Sequence, residues 1–142
     1  MSKNLEFTDK LRSSGLRPTK QRLKICEVLF NRDNTFLFTI NDLAKSISRE
    51  LNENISLATV YNTVHAFKNK GYLKEISINS DKSYFDTNTT NHHHFFDEDT
   101  NELIDCSEEV IETPKIKKNI LGKKINSVEV LVKVATDNKN QK

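Results

Sequence analysis

The segment from Ser56 to Asp86 constrains the fold of this 142-residue chain most strongly. Ser56 can cap a helix, and Gly71 can end it. The apolar positions between them have the spacing of one helix face: Leu57, Val60, Val64 and Phe67. Two β-like runs follow, at residues 72–78 and 82–86, with a short polar turn between them. A helix that leads directly into a β-hairpin indicates a winged helix-turn-helix.

Three helix signals precede this segment. Residues 4–14 predict a short helix that ends near Gly15, and Pro18 predicts the first turn of a second helix. Thr39 can cap a third helix, with Asp42 three residues later as in a capping box. Helices of this spacing before a hairpin predict that residues 1–86 form a DNA-binding domain.

The C-terminal part has a different pattern. Residues 87–91 form a polar hinge, short strands follow at 92–97 and 103–106, and Thr113-Pro114 predicts the start of a helix that ends at Gly122. Alternating valines at 128–134 predict a strand with one apolar face. The chain should therefore have an α+β fold, in which residues 92–142 form a small α/β sensing and dimerisation domain, and a second copy should cover the valine face.

Charge and segment types narrow the function. Residues 1–88 hold fourteen basic and ten acidic side chains, whereas the remainder holds eight and ten. A basic N-terminal part suits a polyanion such as double-stranded DNA. Because the sequence has neither a signal peptide nor a long apolar run, we expect a cytoplasmic protein with no membrane partner.

The fourth helix carries polar and small side chains opposite its apolar stripe. Such residues can read base edges in a major groove, mainly from the start of a helix, and basic residues at the start of the second helix can contact phosphate. A solvated helix face is the alternative interpretation. The predicted DNA-binding residues are Arg17, Thr19, Lys20, Arg22, Ser56, Ala58, Thr59, Tyr61, Asn62 and His65.

Three of the four histidines stand together at positions 92–94. In a strand, His92 and His94 point to one face and His93 to the other. Two imidazoles, joined by the carboxylates of Asp86 and Asp105, would suit Fe, Mn or Zn. A solvated histidine run is the alternative.

These motifs resemble the ferric uptake regulator (Fur) family. The resemblance rests on residues 15–22, residues 56–62, Tyr84-Phe85-Asp86 and the histidines at 92–94. It implies a homodimeric repressor that binds an AT-rich palindromic operator, with Arg17 and Tyr61 at the DNA. It also implies a regulatory metal site at Asp86, His92, His94 and Asp105. The run from residue 85 to 96 is most similar to the Irr (iron response regulator) branch, which responds to haem.

The sequence departs from the family pattern in two places. The Cys-x-x-Cys pair of the family's structural zinc is replaced by Asp97 and Thr100, so no such zinc is expected. A histidine ligand of the hinge site is replaced by Leu37. Haem-responsive relatives can also carry a Cys-Pro haem motif, but Cys26 is followed by Glu27, and its helix face predicts a core position.

The leading hypothesis is an iron- or haem-responsive repressor, with His92, His93 and His94 as candidate haem contacts and an unidentified haem-supplying protein. The alternative is a divalent-metal or peroxide sensor of the same fold, using His92, His94, Asp86 and Asp105. A small metalloenzyme is a remote third hypothesis, which the basic helix start disfavours. The chain is therefore expected not to be an enzyme.

Overall fold

The computed structural model describes residues 2–138 of the chain. Over this range the chain divides into two compact units, one up to Thr89 and one from Thr90 onward. The boundary lies within residues 87–91, and the role of that segment as a hinge stays a prediction. The elements in chain order are α1 (Ser2–Ser13), α2 (Lys20–Phe30), β1 (Leu37–Phe38), α3 (Ile40–Leu51), α4 (Leu57–Lys70), β2 (Lys74–Asn79), β3 (Lys82–Asp86), β4 (His93–Asp97), β5 (Glu102–Cys106) and β6 (Leu131–Val134). The α+β fold class is confirmed.

The helices of the first unit pack around one apolar core. Its largest fully buried side chains include Phe38, Phe67, Leu11, Leu29 and Leu43. Removing a side chain of this size from water stabilises a fold by about 1.5–3 kcal/mol. None of the helices in residues 2–138 is both long and apolar enough to cross a lipid bilayer.

Local signals define the ends of α3 and α4 as predicted. Thr39 and Asp42 form a reciprocal capping box, with the Asp42 N–H donating to Thr39 Oγ1 at 3.1 Å and the Thr39 N–H donating to Asp42 Oδ2 at 3.0 Å. Ser56 Oγ accepts the N–H of Thr59 and caps α4. Gly71 ends that helix in the left-handed region, at φ 96°.

Two details of these helices differ from the prediction. Pro18 stands one residue before the N-cap Thr19, so it precedes the first turn of α2 instead of lying in it. Leu57 is 53% exposed, because as the first residue of α4 it extends beyond the core. Thr63 takes the buried place on that face, where its hydroxyl donates to the Thr59 carbonyl at 2.8 Å.

The wing is a sheet with the strand order β1-β3-β2. Strands β2 and β3 form the predicted antiparallel hairpin. The two-residue strand β1 adds to the far edge of β3, which places Leu37 opposite Asp86. A strand this short has no periodicity, and its pairing depends on a partner far along the chain.

The second unit is built on a sheet of order β5-β4-β6. Strands β4 and β5 form an antiparallel hairpin, whereas β6 runs parallel to β4. Asp97 holds the hairpin turn, since its Oδ1 accepts the N–H groups of Asp99 at 2.9 Å and Thr100 at 3.2 Å. Asp97 and Thr100, which replace the two cysteines of the structural zinc, are therefore hydrogen-bonded to each other in this turn.

The helix predicted from Thr113 to Gly122 is wrong, because these residues have no helical structure. Its apolar side chains are largely exposed, with Ile120 at 73% and Leu121 at 99%. A helix of this length is marginal in water unless one face packs against other elements. Lys115 and Lys118 would also be neighbours on such a helix, and like charges three residues apart oppose its formation.

One face of the second sheet carries an apolar row across all three strands. Ile104, Phe95 and Val132 are register neighbours from β5 to β6. Ile104 is 45% exposed and Val134, on the same face, is 36% exposed. The valine strand was predicted over 128–134, but the ladder begins only at Leu131.

Candidate functional site

The start of α2 presents the predicted cationic residues. Arg17, Lys20 and Arg22 line a surface depression with Thr19, Gln21 and Thr59. Thr59 belongs to the first turn of α4, so the depression joins the starts of α2 and α4 within the first unit. Arg22 donates from Nη1 to the Arg17 carbonyl at 3.0 Å, which holds the chain before the helix in place. Gln21 was not predicted, although its position between Lys20 and Arg22 could have suggested it.

Thr19 and Ser56, which were predicted as DNA contacts, cap the two helices. The Thr19 hydroxyl accepts the Arg22 N–H at 3.3 Å and caps α2. Ser56 Oγ accepts the Thr59 N–H at 3.2 Å and donates to Thr59 Oγ1 at 3.0 Å. These residues therefore shape the surface that Arg17 and the α4 face present.

The exposed face of α4 contains the predicted base-reading residues. Ala58, Tyr61 and Asn62 are exposed, with Tyr61 at 51%. His65 is half-buried, and its ring lies 4.0 Å from the Tyr61 ring, measured between centroids. The structure brings these residues to one surface of the first unit, beside the cationic start of α2. That surface has the charge and the small polar groups that a DNA groove requires.

In the second unit, three of the predicted metal ligands converge. His94 Nε2 lies 3.0 Å from Asp105 Oδ1, and His92 Nε2 lies 3.5 Å from the same oxygen. Two ligand atoms that bind one metal tetrahedrally at about 2.1 Å are about 3.4 Å apart. The observed separations fit this value. His94 is the register partner of Asp105 across the β4–β5 ladder, so the sheet itself sets their approach.

The orientation of His92 favours metal binding. His92 Nδ1 lies 2.7 Å from the Thr90 carbonyl oxygen, which can only accept, so Nδ1 carries the proton of the neutral ring. The lone pair is then on Nε2, on the side that faces Asp105. Metal-binding histidines are commonly held in this way by a carbonyl. The Thr90 contact was not predicted, because every residue has a backbone carbonyl and the residue type does not show which one binds a histidine.

Asp86 is the last residue of β3 in the first unit. Its side chain is 1% exposed, and its Oδ1 accepts the Asn88 N–H at 2.9 Å. Leu37, at the position of the family's histidine ligand, pairs with it across the ladder. An alkyl side chain offers no donor atom, so Leu37 cannot complete a ligand set.

Both ring nitrogens of His93 are hydrogen-bonded within the fold, which corrects the expectation that His93 contacts haem. The Val130 N–H donates to His93 Nδ1 at 2.9 Å, so the ring proton is on Nε2, which donates to Thr113 Oγ1 at 2.9 Å. The Thr113 hydroxyl donates in turn to Glu108 Oε1 at 3.2 Å. With 2% exposure and both nitrogens engaged, His93 offers no lone pair to an iron atom.

Cys26 is a core residue, as predicted. It is fully buried in α2, and burial raises the pKa of its thiol to about 12. A thiol with this pKa supplies little thiolate at neutral pH for metal, haem or oxidant chemistry.

The family follows from a direct comparison. The family model "Ferric uptake regulator family" matches residues 13–134, which is most of the chain. The chain belongs to the ferric uptake regulator family. Members of this family are DNA-binding, metal-binding transcription regulators and are not enzymes. The resemblance seen in the sequence is thereby confirmed, and the metalloenzyme hypothesis is dropped.

Individual relatives agree with this assignment. The peroxide-responsive repressor PerR of Staphylococcus aureus is 35% identical over 95 residues, which are 67% of this chain and 62% of the relative. The match therefore spans less than two thirds of that protein. None of these comparisons supports the Irr branch.

Solved structures show the same fold. The ferric uptake regulator of Pseudomonas aeruginosa, solved with manganese, is 25% identical with a TM-score of 0.68, over 93% of this chain and 98% of that one. The ferric uptake regulator of Vibrio cholerae is 26% identical with a TM-score of 0.69, over 91% and 98% of the two chains.

Proposed function

We propose that this protein is a dimeric, divalent-metal-responsive transcriptional repressor. The observation that carries the proposal is the convergence of His92, His94 and Asp105 within the second unit. A mixed nitrogen and oxygen donor set suits Mn(II), Fe(II) or Zn(II). The manganese in the structure of the Pseudomonas relative supports a metal of this class.

Asp86 is our proposed fourth ligand. This assignment rests on the sequence, since Asp86 precedes His92 by only six residues and matches the family motif. Two imidazoles and two carboxylates, without a contribution from Leu37, make a smaller ligand set than the family pattern implies. A metal bound there would neutralise two carboxylates, and the imidazoles would hold it with unprotonated nitrogens.

The DNA surface of the proposal is the start of α2 together with the exposed face of α4. Arg17, Lys20 and Arg22 supply positive charge for the phosphates, and Tyr61 and Asn62 supply groups for base edges. A dimer would present two such surfaces to a palindromic, AT-rich operator.

The apolar row of the second sheet supports dimerisation. Ile104, Phe95 and Val132 form a band on one face, and Val134 extends it. A monomer gains nothing from leaving such a face in water, whereas a two-fold partner would bury it. We propose that this face packs against the same face of a second copy and forms the dimer interface.

Peroxide sensing is a second candidate function. The single observation that favours it is the 35% identity to a peroxide-responsive repressor. The haem hypothesis loses one of its three candidate contacts, because both His93 nitrogens are engaged in hydrogen bonds.

Metal binding by the purified protein tests the proposal. Titration calorimetry with Mn(II) should give one site per chain, and the variant His92→Ala/His94→Ala should give none. Wild-type binding retained by that variant would refute the site. Operator release on adding peroxide to the Fe(II) form, but not to the Mn(II) form, would favour the second candidate. A Soret band at one haem per chain would revive the haem hypothesis.

A further inference from the structure

His65 has surroundings that a phosphate-contacting residue would not need. Its ring lies 4.0 Å from the Tyr61 ring at an interplanar angle of 34°. The same ring meets the Phe85 ring edge-on, with 5.4 Å between the ring centroids and an angle of 77°. Phe85 is 2% exposed and belongs to the core, so this stack joins an exposed side chain to a rigid one.

We propose that His65 is a positioning residue that holds Tyr61 in its DNA-reading orientation, because its ring contacts the Tyr61 ring and is itself held edge-on against Phe85. The inference rests on the proposed function, in which Tyr61 contacts DNA. Tyr61 and His65 are one helical turn apart on α4, the separation at which side chains meet. Tyr61 itself is 51% exposed, so its ring needs support to keep one orientation.

His65 also has a charged neighbour on the wing. Glu75, on β2, is the register partner of Phe85, and its carboxylate is close enough to His65 for an electrostatic interaction. Lys68 of α4 pairs with the same carboxylate at 3.4 Å. The half-buried ring of His65 therefore contacts side chains both of its own helix and of the wing. A phosphate contact would instead require an imidazole directed outward.

The proposal predicts that the ring of His65 matters and its charge does not. His65→Phe keeps an aromatic ring, whereas His65→Lys keeps a cation and loses the ring. Aromatic pairs contribute about 0.5–1.5 kcal/mol, so loss of the ring contact should lower specific affinity about twofold to twelvefold. Because Tyr61 transmits the effect, His65→Ala should change affinity less than about twofold in a Tyr61→Ala background.

The test is fluorescence anisotropy with a labelled AT-rich palindromic duplex, selected from a random pool by the wild-type protein, at several salt concentrations. His65→Phe should bind within about twofold of wild type, and His65→Ala and His65→Lys should both lose affinity. The dependence on salt should be the same in all. The matched control is Asn62→Ala. In the double variant its fold-loss of affinity should multiply with that of His65→Ala, because Asn62 lies outside the group of ring contacts. Thermal melting verifies that each variant folds.

Several outcomes would overturn the proposal. If His65→Phe loses affinity and the salt slope flattens by about one, His65 contacts phosphate. Wild-type affinity in both His65→Ala and His65→Lys would show that the stack has no role. If Tyr61→Ala still loses affinity alongside either of these two outcomes, the proposed function survives and only this inference fails. If wild type binds no duplex, or if Tyr61→Ala binds like wild type, the proposed reading surface fails and the inference fails with it.

Discussion

Replacing His93 with alanine tests whether this residue is structural or a ligand. The substitution removes the acceptor of the Val130 N–H and the donor to Thr113 Oγ1. Each neutral hydrogen bond contributes about 0.5–1.5 kcal/mol net, and a buried group left unsatisfied costs about 1–3 kcal/mol. Thr113 is exposed, so its hydroxyl can turn to water, whereas the Val130 N–H lies against the ring. We expect the free energy of unfolding to fall by about 2–4 kcal/mol.

Urea unfolding at 25 °C, followed by circular dichroism, measures this loss. His93→Asn is the matched control, since its side-chain oxygen can replace Nδ1 as acceptor for Val130 and should recover about half of the loss. Metal affinity measured on the folded fraction should be unchanged. If wild type binds haem, and a His93→Ala protein as stable as wild type within about 0.5 kcal/mol does not, His93 is a ligand after all.

Three further predictions concern DNA, the dimer and acid stability. Tyr61→Ala should lower operator affinity by about 1–3 kcal/mol, whereas Arg17→Ala should weaken the binding of operator and random DNA alike and flatten the salt dependence by about one. If Tyr61→Ala loses equal affinity for both DNAs, α4 does not read the base sequence. Val132→Asp should yield monomers in sedimentation, with Lys133→Asp, on the opposite face, still dimeric. Burial alone raises the pKa of Glu75, but hydrogen bonds from Ser83 and Lys68 lower it overall. Glu75 therefore stabilises the fold above its unfolded pKa of about 4.3, and this stabilisation disappears as pH falls through the lower folded pKa. Glu75→Gln should flatten the dependence of the free energy of unfolding on pH in that acidic range.

Features with a local cause could be predicted from the sequence. The cap at Thr39, the cap at Ser56 and the left-handed Gly71 each depend on hydrogen bonds or backbone freedom within a few residues. The wing hairpin likewise follows from its alternation and turn residues. His92 and His94 were placed on one side of their strand by the two-residue repeat, and the structure brings both to Asp105.

Features with a distant cause could not be predicted. Strand β1 exists only because β3 pairs with it, and the parallel alignment of β6 with β4 depends on a long connection. The segment after Thr113 has a cap signal and apolar spacing, but within residues 2–138 its side chains Ile116, Ile120 and Leu121 stay exposed. For His93, the alternation of side chains along the strand predicts the opposite face. It does not predict the hydrogen bonds that His93 makes there with the Val130 N–H and the Thr113 hydroxyl.

The central claim is that a metal at His92, His94 and Asp105 controls DNA binding, and operator affinity with and without metal tests it most directly. The measurement is anisotropy of the labelled operator with the metal-free protein, with Mn(II) added, and with the His92→Ala/His94→Ala variant under both conditions. We predict that Mn(II) changes wild-type affinity at least tenfold and leaves the variant unchanged, while both proteins melt at similar temperatures without metal. An equal response of the variant and the wild type to Mn(II) would contradict the account.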